Sequence, residues 1–143
     1  MADRRRRVGA LVLDAEGLSK IAAGDPRARA FLAEAHDSRS RVVVAASTLT
    51  EVLRDHRRDA AVHRVLGRVI VTPIDGSKAR AAGELLGQLK LSGHQHALDA
   101  LVAVVALGQP RPVVLLTSDP ADLAALTAEP RRPAGERVTV VRV

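Results

Sequence analysis

Residues 8–14 read Val8-Gly9-Ala10-Leu11-Val12-Leu13-Asp14, an unbroken apolar run closed by a carboxylate. Strand length without polar alternation predicts a strand covered on both faces, as in a parallel sheet between two helical layers. The acid that follows stands where open parallel sheets keep their ligands, beyond the carboxyl end of a strand. Outward from this stretch the same pattern recurs. Residues 42–45, 69–72, 113–117 and 138–143 are further apolar runs of strand length. Helical patterns lie between them. Asp25-Pro26 opens one, with Asp25 as N-cap and Pro26 at the first helical position. Others are expected at 48–56, 59–66, 77–91 and 94–107, and Asp119-Pro120 opens the last. Strands joined by helical crossovers predict an α/β fold with helices on both faces of a parallel sheet. No repeat or linker divides the chain, so one domain over residues 1–143 is expected, with residues 1–7 as a flexible basic N-terminus.

Composition narrows the chemistry. The 143 residues include no cysteine, which removes disulfides, thiolate metal sites and a cysteine nucleophile, and fits a reducing compartment. Aromatic residues make up 1%, a lone Phe31, while the hydrophobic share is 47%. The core must therefore be aliphatic, and there is nothing on which bases could stack. The net charge of +6 favours a polyanion nearby. Contact with nucleic acid would then run through phosphates. The apolar run after Arg4-Arg5-Arg6-Arg7 is too short for a signal peptide and ends at Asp14. No stretch has the length of a membrane span, and a cytoplasmic protein is expected.

Four acids stand out. Asp14 closes the first strand and Asp119 follows the fourth; if these strands flank the point where the strand order reverses, their carboxylates meet across the crevice. Glu51 falls in the first turn of the helix after the second strand. Asp99 lies inside the apolar run Ala97-Leu98-Asp99-Ala100-Leu101, where a carboxylate is costly unless protonated, paired or on a metal. Carboxylates converging from separate elements repel one another, and a hard divalent cation with oxygen ligands resolves that repulsion. Each acid also has a structural reading. Thr48-Leu49-Thr50-Glu51 matches a capping box, Asp119 before Pro120 is a good N-cap, and Asp14 can start a turn. His94 and His96 are two apart on a helix and so make a poor chelating pair, whereas His96 and Asp99, three apart, can meet. A structural or surface role is the simpler reading of both histidines. Arg54, Arg57 and Arg58 follow Glu51 and are candidates for contact with a phosphate backbone, or else the wet side of a helix.

Taken together, these segments resemble the PIN-domain nucleases and, within them, the VapC-type ribonuclease toxins of type II toxin–antitoxin systems. The resemblance runs from Leu11 to Val141. Leu11-Val12-Leu13-Asp14 resembles the opening strand-and-aspartate motif, and Ser47-Thr48-Leu49-Thr50-Glu51-Val52 the segment with the family's glutamate. Ala97-Leu98-Asp99-Ala100-Leu101-Val102-Ala103 resembles the helix with the third acid. Leu116-Thr117-Ser118-Asp119-Pro120-Ala121-Asp122-Leu123 resembles the terminal threonine-and-aspartate motif, although many relatives have an aromatic where Leu123 stands.

The resemblance implies a PIN-like three-layer α/β/α fold around a five-stranded parallel sheet, and endoribonuclease activity dependent on Mg²⁺ or Mn²⁺. Asp14, Glu51, Asp99 and Asp119 would form the catalytic metal site, Thr117 would support it, and Asp122 would be an outer or fifth acid. It also implies a small VapB-like antitoxin as partner, and homodimers. Glu16 is expected to start the next helix and not to bind metal. The expected reaction is metal-assisted hydrolysis of RNA phosphodiesters without a protein nucleophile. Alternatives are an RNA-processing nuclease of the same fold without a toxin role, and a noncatalytic receiver-like interaction domain. The receiver reading lacks the expected lysine after a late strand. A haloacid-dehalogenase-type phosphotransferase would need a second aspartate where this chain has Glu16.

Overall fold

The structure, a computed structural model, describes residues 9–143. The run Arg4–Arg7 and Val8 lie outside the described residues. Strand β1 spans Ala10–Leu13, β2 Arg41–Ala45, β3 Ile70–Thr72, β4 Val113–Thr117 and β5 Thr139–Arg142. All pair in parallel, in the order β3-β2-β1-β4-β5. The chain walks outward from β1 to β3, then returns to place β4 on the other side of β1. The order therefore reverses between β1 and β4, where Leu13 lies opposite Leu116. Asp14 directly follows β1, and Thr117 ends β4.

The apolar run of β1 serves two cores, as its lack of alternation predicts. Ala10 and Val12 face one core, built with α5 (Gly76–Leu89), α6 (Gly93–Leu107) and α7 (Pro120–Leu126). Leu11 and Leu13 face the other, built with α1 (Ala15–Ala23), α2 (Pro26–Asp37), α3 (Leu49–Val52) and α4 (Asp59–Leu66). This is the expected three-layer α/β/α arrangement. The Asp25 side chain accepts the Ala28 N–H at 2.8 Å, and Gly24 ends α1 at φ +89, a left-handed conformation that glycine adopts at no steric cost. No helix among the described residues is long and apolar enough to cross a membrane.

One expected helix is much shorter. Residues 48–56 do not form a single helix; a 3₁₀ turn over Ala46–Thr48 leads into α3, and the chain is extended at Leu53. Side chains supply the reason, because they take the backbone partners that a longer helix would use. The Arg54 guanidinium donates to the carbonyls of Thr50 and Leu53, each at 2.8 Å. The buried Asp59 carboxylate accepts the N–H groups of Arg54 at 2.8 Å and His56 at 3.2 Å. The capping box read at Thr48 to Glu51 does not form either: Thr48 is itself helical, and its hydroxyl makes no cap bond.

Candidate metal centre

The site is assembled at the carboxyl end of the sheet, beginning with Asp14. Its backbone N–H donates to the Leu116 carbonyl at 3.3 Å, which ties the end of β1 to β4. Its Oδ1 accepts the Gly17 N–H at 2.8 Å and so caps α1. Gly17 lets this happen at close range: a Cβ there would meet the Leu116 carbonyl oxygen at 2.7 Å. Asp14 is only 8% exposed, and burial pushes its carboxyl above the ordinary aspartate range. The Thr117 hydroxyl and the Gly17 amide pull it back, while Glu16 and Asp99 push it further up. Thr117 is 1% exposed, and its oxygen accepts the Asp119 N–H at 3.1 Å. Its hydroxyl donates to the Asp119 carbonyl at 3.4 Å, close enough to Asp14 to lower that carboxyl.

Glu51 reaches the same crevice from the solvent side of α3. Its carboxyl is raised by partial burial, then by Asp99, Asp14 and Glu16, with Arg54 opposing. Asp99 enters from α6 and is half-buried. Burial raises it first and Asp122 next; His96 counters, and Asp119 adds to the rise. Asp99 thus links the acids electrostatically: its charge pushes up Asp14 and Glu51, and Asp122 and Asp119 push it up in turn.

Asp119 stands at the N-cap position of α7, yet its side chain makes no cap bond. The capping role that competes with a metal role at this residue is therefore unfilled. Asp122, one turn on, lies with an oxygen 3.6 Å from His96 Nδ1. The ligand atoms of His96, Asp99 and Asp122 all lie within 4.8 Å of one another. The sequence reading assigned the histidines a structural or surface role; here His94 is exposed, whereas His96 turns into the acids. The three-residue spacing to Asp99 was the available signal. Asp122 was hidden from that argument because it arrives on another helix. Glu16 starts α1 as expected, but its charge still reaches Asp14 and Glu51. Arg54 is likewise felt at Glu51. Arg57 and Arg58 are exposed on the turn before α4, not on a helix face.

This donor set suits a divalent cation. Burial first, and acidic neighbours after it, raise Asp14, Glu51 and Asp99, and His96 Nδ1 is buried without a hydrogen-bond partner among the described residues. A cation would settle both the repulsion and the orphaned nitrogen.

No protein-family model matches the chain, and no curated protein matches it. Solved structures do. VapBC2 from Rickettsia felis, bound to a DNA fragment from its promoter, is similar at 15% identity and TM-score 0.62, over 92% of this chain and 98% of that one. DNA-bound VapBC from Salmonella typhimurium is similar at 21% identity and TM-score 0.59, over 92% and 97%. FitAcB from Neisseria gonorrhoeae follows at 20% identity and TM-score 0.52, over 91% and 95%. The chain shares the α/β fold of these structures and carries an acidic cluster at its topological switch point. At these identities the likeness establishes the architecture.

Proposed function

We propose that this chain is a divalent-metal-dependent endoribonuclease, and that it serves as the toxin of a toxin–antitoxin pair. The observation that carries the nuclease reading is the placing of Asp14 and Asp119 at the carboxyl ends of β1 and β4, where the strand order reverses, with Asp14, Glu51 and Asp99 each raised chiefly by burial and further by acidic neighbours. Such an arrangement is unfavourable in an empty protein and favourable around a cation. With Asp119, these residues would hold Mg²⁺ or Mn²⁺. Bound there, the cation would make an attacking water more acidic and neutralise the leaving oxygen of a phosphodiester. Asp14 is held in place by the Gly17 amide. Asp122 would be a fifth acid of the site, its ligand atom within 4.8 Å of those of Asp99 and His96. Arg54, Arg57 and Arg58 would contact RNA phosphates, Arg54 nearest the acids. RNA as the substrate rests on the motif resemblance and is consistent with a basic chain nearly devoid of aromatics.

The toxin reading draws on the VapC-like motifs and on a second feature. A hollow of about 500 Å³ lies between α1, α2 and α4, with Ile21, Leu32 and Val65 as apolar lining and Arg29, Arg64 and Arg68 beside them. It would seat an acidic amphipathic segment of a small antitoxin. The direct test incubates the purified protein with a labelled RNA. Internal cuts with Mg²⁺ or Mn²⁺ that stop under chelator are expected; chelator-resistant cleavage contradicts the metal mechanism. Expression alone should arrest growth, and harmless expression of an active nuclease would remove the toxin role while leaving the enzyme.

A further inference from the structure

We infer that His96 is a nitrogen donor in the metal centre, so that this site takes a first-row transition ion such as Mn²⁺ in preference to Mg²⁺. The inference rests on the metal-nuclease reading of the acids and adds a ligand to it. His96 and Asp99 are three residues apart on α6, which puts both on one face of a single rigid element. Asp122 approaches that face from α7. The ligand atoms of the three lie within 4.8 Å of one another. Donors on opposite sides of one ion are separated by roughly 4.4 Å, twice a bond of about 2.2 Å, so a shift of a few tenths of an ångström closes the set.

The imidazole itself supplies the independent observation. Its side chain is 18% exposed, and Nδ1 is shielded from solvent without a hydrogen-bond partner among the described residues. The 3.6 Å separation from the Asp122 oxygen is too long for a hydrogen bond. A shielded polar atom left unpaired beside two carboxylates is unfavourable in the apo protein, and metal coordination removes that cost. Donor chemistry then sets the preference. Mg²⁺ takes oxygen ligands and gives up its waters reluctantly, whereas the first-row transition ions accept an imidazole nitrogen, Mn²⁺ the most weakly of the series.

The test uses the full chain and Mn²⁺ alone, without RNA. Pulsed electron paramagnetic resonance on the Mn²⁺-loaded protein should show ¹⁴N modulation from a directly bound imidazole. That signal should vanish in His96→Ala and in His96→Gln, the latter retained because it fills the same space. Titration should show Mn²⁺ affinity falling by about tenfold or more in both variants, with Mg²⁺ affinity changed by less than about twofold. Tight Mn²⁺ binding without ¹⁴N modulation would overturn the inference while leaving the acidic metal centre intact; His96 would then be an ion-pair partner of Asp122 only. A ¹⁴N signal that survives in both variants would equally overturn it. No Mn²⁺ binding by the folded parent protein would overturn the metal-centre reading, and this inference with it.

Discussion

Asp14 combines a structural role with a carboxyl displaced from its ordinary range. Its Oδ1 caps α1, while burial and acidic neighbours hold the carboxyl above its ordinary range. Asparagine caps a helix about as well as aspartate, so Asp14→Asn keeps the cap and removes the charge. A carboxyl raised in the folded state stabilises below its unfolded pKa, and that contribution is lost as pH climbs through the folded value. Metal-free Asp14→Asn is therefore expected to melt higher than the parent at pH 7, by on the order of 3 °C. The gap should close as pH falls towards about 4. Asp59, Asp75 and Glu129 are lowered and act in the opposite sense, losing their contribution on acidification, so only the difference between variant and parent isolates Asp14. Thermal melts across pH, without metal, check this; a variant that melts no higher at pH 7 contradicts the raised carboxyl. Asp14 and Asp99 were legible from sequence because a strand end and an apolar run make a carboxylate conspicuous. Glu51 matched a capping box that the folded chain does not form, and His96 became meaningful only once α7 brought Asp122 to it.

Among the elements, β1 and β4 were readable because each is an unbroken apolar run, and α2 because Asp25-Pro26 marks its start. The short α3 was not, since its end is set by Arg54 and by Asp59, a carboxylate on the next helix. The seating of α1 on β4 depends on Gly17, where a Cβ would press on the Leu116 carbonyl. Gly17→Ala is expected to destabilise the protein by about 1–3 kcal/mol and to weaken metal binding, because Asp14 is displaced from Thr117. Denaturant unfolding and metal titration measure the two effects; unchanged values would mean that helix and strand adjust freely. The hollow between α1, α2 and α4 carries its own prediction. Arg64→Glu reverses an exposed charge there and should weaken binding of an acidic antitoxin segment on the order of tenfold, with RNA cleavage unaffected. Equal binding by parent and variant would place the partner elsewhere.

At the scale of the whole molecule, the strand order β3-β2-β1-β4-β5 does what no single motif can. It brings acids spread from residue 14 to residue 122 to the carboxyl end of one sheet. Sequence alone supplied the alternation of strands and helices, and from it the layers; the pairing of β1 with β4 entered only as a condition, because parallel strands distant in the chain leave no local signature of who pairs with whom. The central claim is that this cluster holds a divalent cation that cuts RNA, and Asp99 links its acids. The most direct measurement compares parent and Asp99→Asn on one labelled RNA with Mn²⁺, after circular dichroism confirms that both are folded. Loss of a metal-binding charge removes several kcal/mol of transition-state stabilisation, so a fall of roughly a hundredfold or more is predicted. A folded Asp99→Asn that cleaves at the parental rate would contradict the claim.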